Sequence, residues 1–148
     1  MGYPRIRTDR LDPEIQAWLL AAQVQADNRE ASHLVSGLVL IAAAQGDSDF
    51  SKAIRNTLES RAPSTSVEVL LELEWSERTV RHLDQPATLV REAIEMSAAE
   101  VDQESSVRPL RFVATLVSFD DGMATRMVRR AGMQPAEFLE SLRSGDRS

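Results

Sequence analysis

The run Leu34–Ala44, LVSGLVLIAAA, contains no charged residue and would present apolar side chains on every side of a helix. A helix that is apolar all round is buried in a protein core or in a membrane. Its eleven residues are too few to cross a bilayer, which needs about 20. The run therefore predicts a central core helix, and the rest of the chain must supply the elements that cover it.

Capping residues and apolar spacing predict the helices of the first half. Asp12 and Pro13 are a cap and a first-turn proline, so we expect a helix over about residues 13–27. Its apolar stripe is Ile15, Trp18, Leu19, Ala22 and Ala26. Ser32 is the predicted cap of the central helix, which should end near Gly46. A third helix is predicted after Asp49, before Pro63 interrupts the pattern.

The second half repeats this kind of spacing. A helix is predicted after Pro86, with apolar or small residues at Leu89, Val90, Ala93, Ile94, Ser97, Ala98 and Val101. Another is predicted from about Pro109 to Phe119, and a short one follows Gly122. Gly132 is expected to end that short helix in a left-handed cap.

The short helix carries two kinds of side chain. Met123, Met127 and Val128 lie on one helical face and are predicted to point toward the core. The arginines at positions 126, 129 and 130 are expected on a solvated face, with an anion site as the alternative.

The segment between the halves, SVEVLLELEWSERTVRHL, fits two structures. Apolar residues at alternate positions from Val67 to Trp75 favour a strand, and Val80 with His82 could form the second strand of a short hairpin. Leu and Glu are also good helix formers, so an extra helix is the alternative. The pattern slightly favours the hairpin.

The order of elements suggests two related halves. Each half has an amphipathic helix, a strongly apolar helix, an acidic turn with a glycine, and a shorter amphipathic helix, at a period of roughly 75 residues. The predicted fold is mainly α, a single domain over about residues 8–148. It consists of repeat 1 at 8–62, a variable middle segment at 63–85, and repeat 2 at 86–143, related by a pseudo-twofold axis.

Composition and motifs exclude several function classes. The net charge of −6 and the pI near 5.0 argue against a nucleic-acid or anionic-membrane partner. There is no cysteine and no phosphate-binding glycine loop, and His33 and His82 belong to no metal-ligand motif. We therefore expect a protein that is not an enzyme and uses no cofactor or metal. No signal-like leader opens the sequence, which favours a cytoplasmic location.

Five short motifs, in order, resemble those of a known family. Thr8-Asp9-Arg10 and the AQVQA of residues 22–26 are similar to its TDR and AQxxA, and SHLVSGLV at 32–39 is similar to its EHLLLGLL. In the second half, RFVATLV at 111–117 and DGMATRMV at 121–128 follow its HLLLALL and DGxAxRxL. The chain resembles the double repeat of the Clp N-terminal domain, the substrate-recognition module of Clp-type AAA+ unfoldases.

This resemblance implies a recognition module for a substrate segment, adaptor or other protein partner in a Clp-type chaperone and proteolysis system. Ser32, His33, Leu110 and Arg111 would border a shared surface at the starts of the two apolar helices. In some family members the first Glu of the signature helps to bind phosphorylated arginine. Ser32 and Leu110 stand there and carry no charge, so the resemblance does not carry that ligand over.

Trp75 has two interpretations. It could anchor a partner, because tryptophan is enriched at binding hot spots, or it could be part of the core. The alternative function is a structural homodimerisation or regulatory domain, in which the segment around Trp75 pairs with a second copy.

Overall fold

The computed structural model describes residues 10–31, 33–60, 65–76, 84, 88–101 and 106–146. Within these ranges the chain forms eight helices, which confirms the predicted mainly-α class. In chain order they are α1 (Pro13–Asn28), α2 (Ser36–Gln45), α3 (Asp49–Glu59), α4 (Val67–Ser76), α5 (Leu89–Ala99), α6 (Pro109–Leu116), α7 (Met123–Arg130) and α8 (Pro135–Asp146).

Helix α1 confirms the predictions from its cap and its stripe. The Asp12 carboxylate accepts a hydrogen bond of 2.9 Å from the backbone N–H of Glu14, which satisfies a donor that the helix leaves unpaired. All five predicted stripe residues are buried. The helix ends with Glu30 in the left-handed region, at φ 56°, and the N–H of Ala31 donates back to Ala26.

Helix α2 is the predicted central helix, but it begins later than predicted. Eight of its residues are buried: Ser36, Gly37, Leu38, Val39, Leu40, Ile41, Ala43 and Ala44. The predicted cap, Ser32, is outside the described residues. The helix instead starts at Ser36, and its N-cap residue Val35 forms no side-chain cap. The first turn is satisfied by a carboxylate from far along the chain, which sequence spacing does not reveal.

The prediction of a hairpin in the middle segment is wrong over its first strand. Residues Val67–Ser76 form α4, whose buried side chains are Val67, Leu70, Leu71 and Glu74. This is helical spacing rather than alternation. The helix start is fixed by the Glu59 carboxylate, which accepts from the N–H of Val67 at 3.0 Å. Positions 80 and 82 of the predicted second strand lie outside the described residues.

The second half is joined to the start of the chain. Helix α5 buries five of the residues predicted for it, namely Leu89, Val90, Ala93, Ile94 and Ser97. The Arg10 guanidinium donates to the carbonyls of Ala98 and Val101 at 3.1 and 3.2 Å, so a cation lies at the negative end of α5. Leu11 and Val107 form an isolated parallel bridge beside it.

Helix α7 ends as predicted. Met123, Met127 and Val128 are buried, and Gly132 has φ 96°. The N–H of Met133 donates to Val128 at 3.4 Å, across the glycine. Helix α7 packs against α2, α4 and α8, and α5 packs against α6.

Candidate recognition cleft

An open cleft of about 730 Å³ lies between α5, α6 and α8. Its apolar lining residues are Met96, Leu110 and Ala114. Its polar and charged lining residues are Glu100, Arg108, Arg111, Thr115, Ser118 and Arg143. The cleft therefore combines an apolar floor with several cations.

The two hydroxyl groups of the cleft donate their hydrogens to the backbone. Thr115 Oγ1 donates to the carbonyl of Arg111 at 3.0 Å, and Ser118 Oγ donates to the carbonyl of Thr115 at 2.6 Å. Each hydroxyl has a single hydrogen to donate. The side-chain donors that remain for a bound molecule in this lining are the guanidinium groups.

The ion pairs of these guanidinium groups are exposed. Arg111 pairs with Glu100 at 2.7 Å, and their side chains are 46% and 53% exposed. Arg143 pairs with Glu140, also at the surface, at 3.2 Å. Arg108 is exposed and makes no ion pair with the part of the chain that the structure describes. Exposed pairs contribute little to stability, so these cations remain accessible to a partner.

The structure brings two of the predicted site residues together in this cleft. Leu110 and Arg111 lie in the first turn of α6 and line it. His33 is half-buried three residues before α2, and it is not among the lining residues of the described cleft. Ser32 is outside the described residues, so its predicted place beside Leu110 stays a prediction.

Trp75 packs elsewhere. It is half-buried against the core near the end of α4, and the guanidinium of Arg29 lies over its ring, 4.8 Å from the ring centre. Arg29 also forms an ion pair with Glu72. A cation over an indole face is attractive, so part of this ring is already engaged within the chain.

Sequence reasoning missed a buried carboxylate at the starts of α2 and α7. Asp84 is fully buried and accepts from the N–H and hydroxyl of Ser36, at 2.8 and 2.6 Å, and from the N–H of Met123 at 2.8 Å. Ser36 Oγ in turn accepts from the N–H of Ala124 at 3.0 Å. We call these four residues the α2–α7 junction. The positive ends of two helix dipoles meet one negative charge there.

The junction also brings the two helices very close together. A Cβ added at Gly37 would lie 2.5 Å from Met123 Sδ, well inside normal contact distance. Glycine at this position therefore allows α7 to pack against the first turn of α2.

One of the three arginines of α7, Arg126, differs from prediction, whereas Arg129 and Arg130 are exposed as predicted. Arg126 Nε donates to Glu74 at 2.7 Å and Arg130 Nε donates to the same carboxylate at 2.9 Å. Glu74 is 4% exposed and the Arg126 side chain 13%. Arg126 is therefore not on a solvated face, because a buried carboxylate of α4 requires cationic partners. Arg129 does lie at the surface, where it pairs with Asp120 at 3.0 Å.

A third acidic residue, Glu68, links α4 to α3. A hydrogen bond from Arg55 at 2.6 Å lowers the pKa of Glu68 to about 2, against an opposing effect of partial burial. Gln45 donates to the same carboxylate at 2.9 Å. The same hydrogen bond raises the pKa of Arg55.

The described residues contain no group of three or more His, Asp or Glu side chains placed to hold a metal ion. Within the same ranges, no helix combines the length and apolarity that crossing a membrane requires.

Neither a protein-family model nor a curated protein matches the chain.

Proposed function

We propose that this chain is a non-enzymatic protein-recognition module that binds a segment of a partner protein in the cleft between α5, α6 and α8. The observation that carries the proposal is the cleft itself, where the apolar side chains of Met96, Leu110 and Ala114 lie beside accessible guanidinium groups. Concave apolar surfaces with a few polar groups are the usual form of binding sites.

The resemblance to the Clp N-terminal domain supports the same proposal. The described helices divide into α1–α4 and α5–α8, and one pair of contacts between these halves is reciprocal: α3 packs on α8, and α4 packs on α7. The contacts of α2 with α7 and of α1 with α6 have no counterpart of similar extent among the described helices. The reciprocal pair suits two related halves, whose equivalence stays a prediction. The corresponding role is recognition of substrates or adaptors for a Clp-type ATPase in the cytoplasm.

The placement of the acids supports a non-catalytic role. Asp84 and Glu74, the most buried described carboxylates, are 0% and 4% exposed, and both oxygens of each accept hydrogen bonds from donors within the protein. A general acid or base must reach a substrate within hydrogen-bond distance. These two carboxylates stabilise helix packing and do not face the cleft lining.

Selection from a displayed peptide library tests the proposal. Peptides selected by the natural protein should lose at least tenfold in affinity for Ala114→Trp, because the new ring fills the cleft. Ala21→Trp, which adds the same ring to an exposed position of α1, is the matched control. Thermal melting must show that both variants are folded. Failure to select any peptide, or unchanged binding by a folded Ala114→Trp, would overturn the proposal.

The alternative is a homodimerisation domain. The observation that favours it is an exposed apolar pair one helical turn apart on α1, Leu20 at 71% and Val24 at 57% exposure. A dimer formed by pairing strands around Trp75 is excluded over residues 67–76, because Val67–Ser76 form helix α4. Light scattering on the purified protein decides this alternative: a dimer that Leu20→Glu dissociates would support it, and a monomer would exclude it.

A further inference from the structure

We propose that the cleft between α5, α6 and α8 selects an acidic segment of its partner, one in which carboxylates flank an apolar side chain. This inference rests on the proposed function, because it specifies the chemistry of the segment that the cleft binds. It is carried by three features of the lining: its charge balance, its remaining hydrogen-bond donors and its apolar floor.

The charge balance of the cleft is opposite to that of the chain. Three arginines and one glutamate line it, whereas the whole protein has a net charge of −6. Surface charges of one sign in a concave site raise the local concentration of the opposite charge. A negative ligand would be repelled by most of the surface and attracted to this site.

The available donors suit carboxylates. Since the Thr115 and Ser118 hydroxyls donate to backbone carbonyls, the side-chain donors left for a bound molecule are guanidinium N–H groups. Guanidinium groups bind carboxylates through paired, charge-assisted hydrogen bonds. Arg108, which has no ion pair within the described ranges, is the first such partner.

Arg111 can take a second carboxylate without a large loss. Its present pair with Glu100 joins two side chains that are each about half exposed. Exposed pairs of this kind contribute little to stability, so a carboxylate of the partner can share or replace Glu100. Arg143, with its exposed pair to Glu140, is the third cation.

The floor requires an apolar group as well. Met96 is 45% exposed, and its flexible thioether adapts to ligands of different shape. Leu110 and Ala114 extend this floor along α6. An acidic stretch without an apolar side chain would leave that surface unfilled, so the best ligand carries both.

The same lining disfavours nucleic acid, the other common polyanion. Single strands are bound largely by stacking bases on aromatic rings, and the lining residues include no aromatic side chain. The acidic chain would also repel the phosphate backbone outside the cleft.

Fluorescence polarisation with defined peptides tests the inference. The probe is a fluorescein-labelled peptide of alternating Glu and Leu, and the matched peptide has Gln in place of Glu. The natural protein should bind the acidic peptide about tenfold more tightly than the neutral one, and added salt should reduce the difference. The double variant Arg108→Gln/Arg111→Gln should lose this preference.

The control removes two arginines elsewhere. Arg91→Gln/Arg129→Gln deletes the same charge from surface pairs with Glu95 and Asp120, so general electrostatic attraction falls equally in both double variants. The control should keep its preference for the acidic peptide. Equal loss in both double variants would overturn the inference.

Two further outcomes separate this inference from the proposed function. If the acidic and neutral peptides bind equally, and Ala114→Trp abolishes both, the cleft binds peptides without charge selection and only this inference fails. If neither peptide binds and the library also selects none, both fail. A short single-stranded oligonucleotide can be compared with unlabelled acidic peptide as a competitor. If the oligonucleotide displaces the labelled peptide at a lower concentration, the cleft prefers nucleic acid and the inference is overturned.

Discussion

The α2–α7 junction and the cleft between α5, α6 and α8 are both polar, but their charges differ in burial and in balance. At the junction one buried carboxylate accepts from Ser36 and Met123. Nearby, buried Glu74 is matched by two arginines. In the cleft the charges are exposed, and positive charge is in excess. Buried charges whose partners lie within the protein hold helices together, whereas exposed charges with one sign in excess are available to a partner. The mutations below test this division.

The largest effect is expected for Asp84→Ala. It leaves the N–H groups of Ser36 and Met123 buried without their acceptor, and should lower the free energy of unfolding by about 3–5 kcal/mol. Urea denaturation followed by circular dichroism measures this change. Asp120→Ala, which removes a carboxylate that is 86% exposed, should change stability by less than about 0.5 kcal/mol. Similar losses in both variants would mean that the junction is not special.

Glu74→Gln is expected to have the next largest effect. The amide keeps the shape but removes the buried negative charge that Arg126 contacts, at a loss of about 2–3 kcal/mol. Arg130 is less affected because its side chain is 30% exposed. Glu72→Gln on the same helix, where the side chain is 60% exposed, is the control. A loss no greater than that of the control would contradict the structural role of Glu74.

A substitution at the C-terminal end of α1, where no charge is buried, should change stability by a smaller amount. Glu30 ends α1 at φ 56°, where an L-residue is strained by about 1–2 kcal/mol. Glu30→Gly should therefore stabilise the protein by about 1 kcal/mol, measured by thermal or urea unfolding. Glu30→Ala retains Cβ and should gain much less. Equal gains in the two variants would show that removal of the charge, and not of the strain, is responsible.

The smallest effect concerns the exposed pair of Arg55 and Glu68. The folded pKa of Glu68 is about 2, below its usual 4.5, so the pair stabilises the fold above pH 4.5 and this stability is lost as the pH falls toward 2. The Glu68 side chain is 44% exposed, which limits the contribution to below about 1 kcal/mol. Stability measured across this pH range should fall less steeply for Glu68→Gln. Identical slopes would show that the pair has no net effect.

Local signals in the sequence were sufficient for several helices. The cap at Asp12, the stripe of α1 and the cap at Gly132 all depend on neighbours within one or two helical turns. The apolar run of α2 also identified the centre of the core without any knowledge of its partners. Such features are predictable because their physical causes lie within a few residues.

Other features depend on distant residues and were missed or misassigned. The burial of Glu74 depends on arginines 52 and 56 positions later in the chain. Asp84 lies 48 positions from Ser36 and 39 from Met123. Without these partners, the alternation from Val67 to Trp75 fits a strand as well as a helix.

Two of the nine lining residues of the candidate site were predicted from the sequence. Leu110 and Arg111 were identified from the helix start that they occupy, and both line the cleft. Met96 and Arg143 come from α5 and α8, and only packing of three helices brings them to the same surface. No local pattern marks such a convergence.

Nuclear magnetic resonance with the alternating Glu and Leu peptide tests the central division most directly. Added peptide should shift the backbone amide signals of Met96, Arg108 and Arg111 in the cleft, and leave those of Ser36 and Met123 at the junction unchanged. This pattern would locate recognition in the cleft and structure in the junction. Shifts concentrated at Ser36 and Met123, with the cleft signals unmoved, would contradict the account.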